Sequence, residues 1–297
     1  MKELGRLITA MVTPFDADGK VDYQQAEKLA MALLKSGSDG LVLSGTTGES
    51  PTLTHEEELK LYTDVKKVVG KRGSIIAGTG SNSTIEAVEA TLAAEKVGVD
   101  ACLLVAPYYN KPTQEGLYQH FKKIAESTQL PCILYNVPSR TVVSIASETV
   151  IRLSQIPNII GVKESSGNME EIGKIIAGTP DKFVVWSGND SDTLPMMSIG
   201  GYGIISVAAH LVGLQIKKMI NAFLAGKNAE AAAIHLKLMP LMKTLFVVSN
   251  PVPVKYALNQ VGFNVGQTRL PLVEPDEKSA AQIREVLKKY EIDLPLE

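Results

Sequence analysis

A short apolar run followed by a helix-like stretch recurs eight times between residues 7 and 207, and few architectures accommodate that rhythm. The runs are LITAMVTPF (7–15), GLVLSG (40–45), SIIAGTG (74–80), ACLLVAP (101–107), CILYNV (132–137), IIGVKES (159–165), FVVWSGN (183–189) and GIISV (203–207). They lack strict apolar–polar alternation, which predicts strands covered on both faces in a parallel sheet. The stretches between them read as helices. Ala26, Leu29, Ala30, Leu33 and Leu34 share one helical face, and Thr54 with Glu57 forms a capping-box pattern. Residues 85–97, 116–127, 146–154 and 169–176 follow the same plan. Gly37, Gly70, Gly98 and Gly178 fall where a helix C-terminus wants a left-handed residue. Eight strand–helix units in series predict an α/β chain closed into a (β/α)8 TIM barrel. An open doubly wound sheet is the main alternative, but no Gly-x-Gly-x-x-Gly fingerprint follows the first strand.

Beyond residue 225 the strand pattern fades. Residues 229–248 read as helix with a kink at Pro240, Asn250-Pro251 should open another, and Pro275 should open the last. The expected organisation is a catalytic barrel over 1–225 and a C-terminal helical appendage over 226–297. Thr193 to Ile216 carries no Lys, Arg, Asp or Glu, yet Pro195, Gly200-Gly201, Gly203 and His210 break it into helix, turn, strand and helix rather than a membrane span. Net charge is −2, which leaves no electrostatic footprint for nucleic acid or an anionic membrane. Cys102 and Cys132 sit in apolar runs outside any Cys-x-x-Cys motif. With an N-terminal apolar run too short for a signal peptide, they suit a reducing, cytoplasmic location.

Chemistry on such a barrel is built at the C-terminal ends of the strands. Lys163 ends the sixth run. Lysine is a poor strand residue and rarely buried. In a desolvated barrel mouth it would present a neutral amine, the species that attacks a carbonyl. The alternative is a lysine that snorkels to solvent or pairs with Glu164. GTTGES (45–50) follows the second run. Its glycines permit close approach, and Thr46, Thr47 and successive amides suit a small carboxylate; a plain Gly-rich turn is the other reading. Tyr135, at the end of the fifth run, can give or take a proton, and Arg140 in the loop beyond can clamp a carboxylate. Tyr108 and Tyr109 add phenols or packing surface after the fourth run. His55, His120, His210 and His235 form no short-spaced ligand pair, so a transition-metal site lacks support.

GTTGES, PYYNKP (107–112), YNVPSRT (135–141), GVKESSG (161–167) and NPVPVK (250–255) together resemble the dihydrodipicolinate (4-hydroxy-tetrahydrodipicolinate) synthase family, in order and over essentially the whole chain. The glycine-rich motif and strand-end lysine are similar to those of the wider pyruvate-aldolase superfamily, which includes N-acetylneuraminate lyase and 2-keto-3-deoxy sugar acid aldolases; these form the alternative function. The resemblance implies Lys163 as Schiff-base nucleophile for pyruvate and Tyr135 as proton donor and acceptor. Thr46 and Tyr109 would complete a hydroxyl relay, the latter tyrosine coming from a neighbouring subunit. Thr47, the main chain at Ile205 and Gly188 would adjoin pyruvate, and Arg140 would hold L-aspartate 4-semialdehyde. A homotetramer built from tight dimers is implied as well.

The imine supplies the electron sink for such chemistry, so no metal and no pyridoxal phosphate is required. Many family members are inhibited by lysine between subunits, and the resemblance matches His55, Asn82, Glu86 and Tyr108 to that allosteric site. The chain departs from the pattern at Glu58, where the family has a second histidine, and at Pro51, where a small residue is common. These departures imply weak or absent inhibition by lysine.

Overall fold

A computed structural model describes residues 4–295. Strands β1 (Leu7–Ala10), β2 (Gly40–Leu43), β3 (Ser74–Gly78), β4 (Ala101–Val105), β5 (Cys132–Asn136), β6 (Ile159–Glu164), β7 (Val184–Ser187) and β8 (Gly203–Ser206) pair in chain order, and β8 closes in parallel on β1. The expected (β/α)8 TIM barrel is therefore what forms. Each strand occupies the front of its apolar run. After Ala10 the chain leaves the ladder: Met11 N donates to Val42 O at 3.0 Å, and Thr13 Oγ1 donates to Gly48 O at 2.7 Å. The rest of that run thus braces the loop after β2.

Side chains alternate across the barrel wall. Ile8, Ala10, Val42, Ile76, Leu103, Ile133, Tyr135, Trp186 and Ile205 fill the lumen as one cluster. Leu7, Leu41, Leu43 and Ile75 face the surrounding helices, as do Leu104, Leu134, Val162 and Val185. Both faces are buried, which is why the runs read as continuously apolar. Each such Leu or Ile contributes about 1.5–3 kcal/mol on burial.

The helices are α1 (Tyr23–Lys35), α2 (His55–Val69), α3 (Thr84–Val97), α4 (Gln114–Glu126), α5 (Pro138–Thr141), α6 (Ser147–Leu153), α7 (Met169–Gly178), α8 (Thr193–Ser198), α9 (Ala209–Leu224), α10 (Asn228–Thr244), α11 (Val252–Gln260) and α12 (Glu277–Leu287). Asp22, Ser83, Thr113, Asn168 and Asp276 cap their helices through side-chain oxygens, and Thr54 with Glu57 completes the capping box. Each such cap stabilises its helix by about 1 kcal/mol. Gly70 and Gly98 close α2 and α3 with positive φ, as expected. Gly178 does not: it is the last residue of α7, and a Cβ there would lie 2.4 Å from Ile151 Cδ1. The Ile151 side chain of α6 packs over that glycine.

Two further expectations need adjustment, and a third holds. Arg140 lies in the one-turn helix α5 rather than in irregular loop. Helix α10 runs through Pro240 as a single element, whereas the non-helical residue is Val212, inside α9. The uncharged stretch after Thr193 resolves into α8, a Gly200-Gly201 turn, β8 and the start of α9, and no helix among the described residues is long and apolar enough to cross a membrane. Leu238, Leu258 and Ile283 from the last helices share one hydrophobic cluster with Leu7, Leu29 and Val65 of the barrel.

Candidate active site

Register decides where Lys163 points. Its neighbour Val162 packs outward among helix side chains, so the pleat turns Lys163 into the lumen. There it pairs laterally with Tyr135 on β5 and Trp186 on β7. The lysine is only 5% exposed, and its Nζ stands 4.3 Å from the centroid of the Tyr135 ring. Snorkelling is therefore not what happens, and neither is pairing with Glu164. That carboxylate accepts from Asn136 Nδ2 at 2.9 Å and from Ser166 N at 2.6 Å, and burial raises its pKa. Gly188 makes room for the lysine arm: a Cβ there would stand 3.0 Å from Lys163 Cε and 1.8 Å from Ser165 Oγ. Ile205 is fully buried in the lumen cluster.

Two adjoining cavities lie above this layer. A small chamber of about 30 Å³ is lined by Ser44, Thr46, Gly80 and Tyr135 among others. A larger cavity of about 330 Å³ shares Thr46, Ser50, Gly80 and Val105 with it and extends to Tyr108, Arg140 and Asn250. Thr46, common to both, thus stands between Tyr135 in the chamber and Arg140 in the larger cavity, with Lys163 against that tyrosine. Thr47 is buried, and its Oγ1 accepts from Asn250 Nδ2 at 2.9 Å. Arg140 Nη2 donates to the Asn250 carbonyl at 3.1 Å, leaving the rest of the fork free to meet an anion. Within GTTGES the amides of Glu49 and Ser50 bond to Thr46 O and Gly45 O, so the turn itself consumes them.

Tyr109 stands apart. It is 90% exposed, at φ +74 in the loop after β4, and it lines neither cavity. Among the residues matched to an allosteric site, Asn82 Nδ2 donates to Tyr108 O at 3.1 Å and Glu86 accepts from Ser81 Oγ at 2.8 Å. His55 instead bonds to Glu58 at 3.3 Å and lines, with it, a different cavity between α2 and α3.

Several residues around the site escaped sequence reasoning. Asp190, after β7, is fully buried and accepts from the amides of Val207 and Ala208 at 3.1 Å, as well as from Ser206 Oγ. Burial raises its pKa, while those hydrogen bonds and the nearby Lys163 charge hold it down. Glu49, at the left-handed φ of 59, forms an ion pair with Lys255 at 2.9 Å with both side chains buried. Lys255 also donates to Thr13 O and Gln267 O, and burial lowers its pKa to about 8. Arg269 N donates to Glu49 Oε2, and the Arg269 guanidinium grips Glu57 through both nitrogens. The GTTGES turn is therefore set from the C-terminal region. The charged residues of GTTGES and NPVPVK were the available signal, but their pairing spans 206 positions.

Comparisons with known proteins show which family the chain resembles. The model of the dihydrodipicolinate synthetase family matches residues 3–290. A 4-hydroxy-tetrahydrodipicolinate synthase of Dehalococcoides mccartyi is 69% identical over 296 residues, covering 100% of both chains. Among solved structures, a dihydrodipicolinate synthase of Bacillus anthracis is 48% identical with a TM-score of 0.96, over 98% of this chain and 100% of that one. One from Cyanidioschyzon merolae, solved with lysine bound, is 46% identical with a TM-score of 0.95, over 96% and 98%. This chain belongs to the dihydrodipicolinate synthetase family.

Proposed function

We propose that the chain catalyses the 4-hydroxy-tetrahydrodipicolinate synthase reaction, joining pyruvate to L-aspartate 4-semialdehyde through an imine on Lys163. The observation that carries the residue assignment is a buried strand-end lysine in the lumen, with its amine 4.3 Å from the Tyr135 ring. Lys163 Nζ attacks the keto carbon and water leaves. The protonated imine draws electrons from the adjacent methyl group, which loses a proton to give the enamine. The enamine carbon adds to the aldehyde. The substrate amine then attacks the imine carbon, closes the ring and releases the lysine. Tyr135 and Thr46 border the chamber where these proton transfers occur. Arg140 holds the semialdehyde carboxylate, and Thr47, Gly188 and Ile205 shape the pyruvate end.

We assign catalysis to the barrel over residues 1–225 and support of the glycine-rich turn to residues 226–297 through Asn250, Lys255 and Arg269. We also propose a homotetramer of tight dimers in which the exposed Tyr109 completes the neighbour's relay, in a cytoplasmic enzyme whose two cysteines remain free thiols. The test of the central reading is borohydride reduction in the presence of pyruvate, followed by peptide mapping. The adduct should map to Lys163 and vanish in Lys163→Ala, whereas Arg140→Ala should retain it and lose condensation by roughly 100-fold or more, as for removal of a charged anchor. Adduct on another lysine, or turnover by Lys163→Ala, would overturn the assignment.

A further inference from the structure

We propose that Ser44 and Tyr62 carry the hydroxyl relay outward through the barrel wall to a cavity at Glu58, giving the reaction a proton route contained within one chain. This rests on the assignment of proton transfer to Tyr135 and Thr46. Ser44 adopts φ +50, a left-handed conformation uncommon for serine, and lines the small chamber together with those two residues. Its hydroxyl is buried, lies beside the Tyr62 phenol, and has no hydrogen bond of good geometry within the protein. A chamber of about 30 Å³ is large enough for one water molecule, and the serine and tyrosine hydroxyls lining it are suitable partners.

Tyr62 lies behind the chamber, against its lining residues Ser44 and Gly78. It is 2% exposed and donates to Gly78 O at 3.1 Å. It also lines a cavity of about 190 Å³ shared with His55, Glu58 and Glu89. Glu58 and Tyr62 lie one turn apart on the same face of α2. Burial pushes the Glu58 carboxyl up to about 7, against the pull of His55. The ionisable groups around this pair are His55 and Glu57 on α2, Glu89 on α3 and Cys102 on β4. A carboxyl poised near neutrality exchanges protons readily at working pH. Tyr62, whose pKa burial raises well above its usual value, stays neutral: it accepts a proton from the Ser44 side while its own, turned from Gly78 O into this cavity, passes to a water there and on to Glu58. Tyr62 and Ser44 are relay-positioning residues that do not touch substrate.

The test uses the full-length enzyme and pyruvate alone, following exchange of the methyl protons in deuterated water by NMR across a pH series, with equilibrium borohydride trapping in parallel. Tyr62→Phe and Ser44→Ala should each slow exchange about tenfold while trapping matches wild type, the size expected for interrupting one link of a relay. Glu58→Gln should remove an inflection near neutral pH from the exchange profile. Wild-type exchange rates and an unchanged profile in all three variants would overturn the proposal, and so would exchange and trapping falling together, the mark of a merely structural role. Failure of the wild type itself to trap pyruvate would instead sink the Lys163 assignment beneath it.

Discussion

Gly188 is hemmed in by two side chains: a Cβ there would collide with Ser165 Oγ at 1.8 Å and press on the Lys163 arm at 3.0 Å. Gly188→Ala should force the Ser165 hydroxyl to swing aside and push the lysine arm by a few tenths of an ångström. Overpacking of this kind costs about 1–3 kcal/mol, whereas misplacing a nucleophile by an ångström can cost about 100-fold in rate. The variant should therefore remain folded by circular dichroism while its rate of imine formation with pyruvate falls at least tenfold by these magnitudes. An undiminished rate would show that the lysine reaches its working position by another path. At this scale the strand-end residues were legible in the sequence, because Lys163 and Tyr135 interrupt apolar runs where a barrel opens. Asp190, Asn250 and Ser44 were not. Their surroundings are built by chain segments far away, and nothing local marks an aspartate as buried or a serine as left-handed.

Whole elements were easier to read than their ends. Two-sided burial makes each strand a compact apolar block, and capping residues announce most helices. The misreadings have physical causes: β1 stops at Ala10 because the following apolar residues pack against the next loop, and α10 tolerates Pro240 within one continuous helix. The less visible feature is the tie between the β2 loop and α11. Glu49 and Lys255 are 1% and 2% exposed at the side chain, so losing one partner strands a buried charge. Glu49→Ala and Lys255→Met should each destabilise the fold by about 3–5 kcal/mol. The double variant should recover part of that loss, because no lone charge remains. Denaturant titration of the four proteins measures it, and strictly additive losses would show that the pair is not energetically coupled.

For the whole molecule, buried histidines govern behaviour in acid. His120 and His210 are both held neutral by burial, with pKa values lowered to about 4. His210 uses both nitrogens, accepting from Val12 N and donating to Val207 O. Between the unfolded value near 6.5 and a folded value of about 4, the unfolded chain binds protons that the folded chain refuses, so acidification through that window removes stability. Each histidine accounts for about 1.4 kcal/mol per pH unit there and for nothing above it. Glu58, raised to about 7, works in the opposite sense and offsets part of the loss. The contribution is isolated by comparing wild type with His120→Gln in denaturant melts from pH 7 to 4. The variant should gain relative stability steadily below about 6.5, and parallel curves would contradict the assignment.

The buried clasp between Glu49 and Lys255 also has a meaning in time. Ribosomes deliver residue 49 long before residue 255, and Arg269 later still. During synthesis the loop that frames the reaction chamber must wait, unset, for the tail that locks it. A nascent chain arrested before Lys255 emerges should then trap no pyruvate with borohydride, whereas trapping by such a chain would mean the loop assembles on its own. Competence would arrive only once Lys255 and Arg269 have emerged, and shorter polypeptides would be spared from reacting with pyruvate.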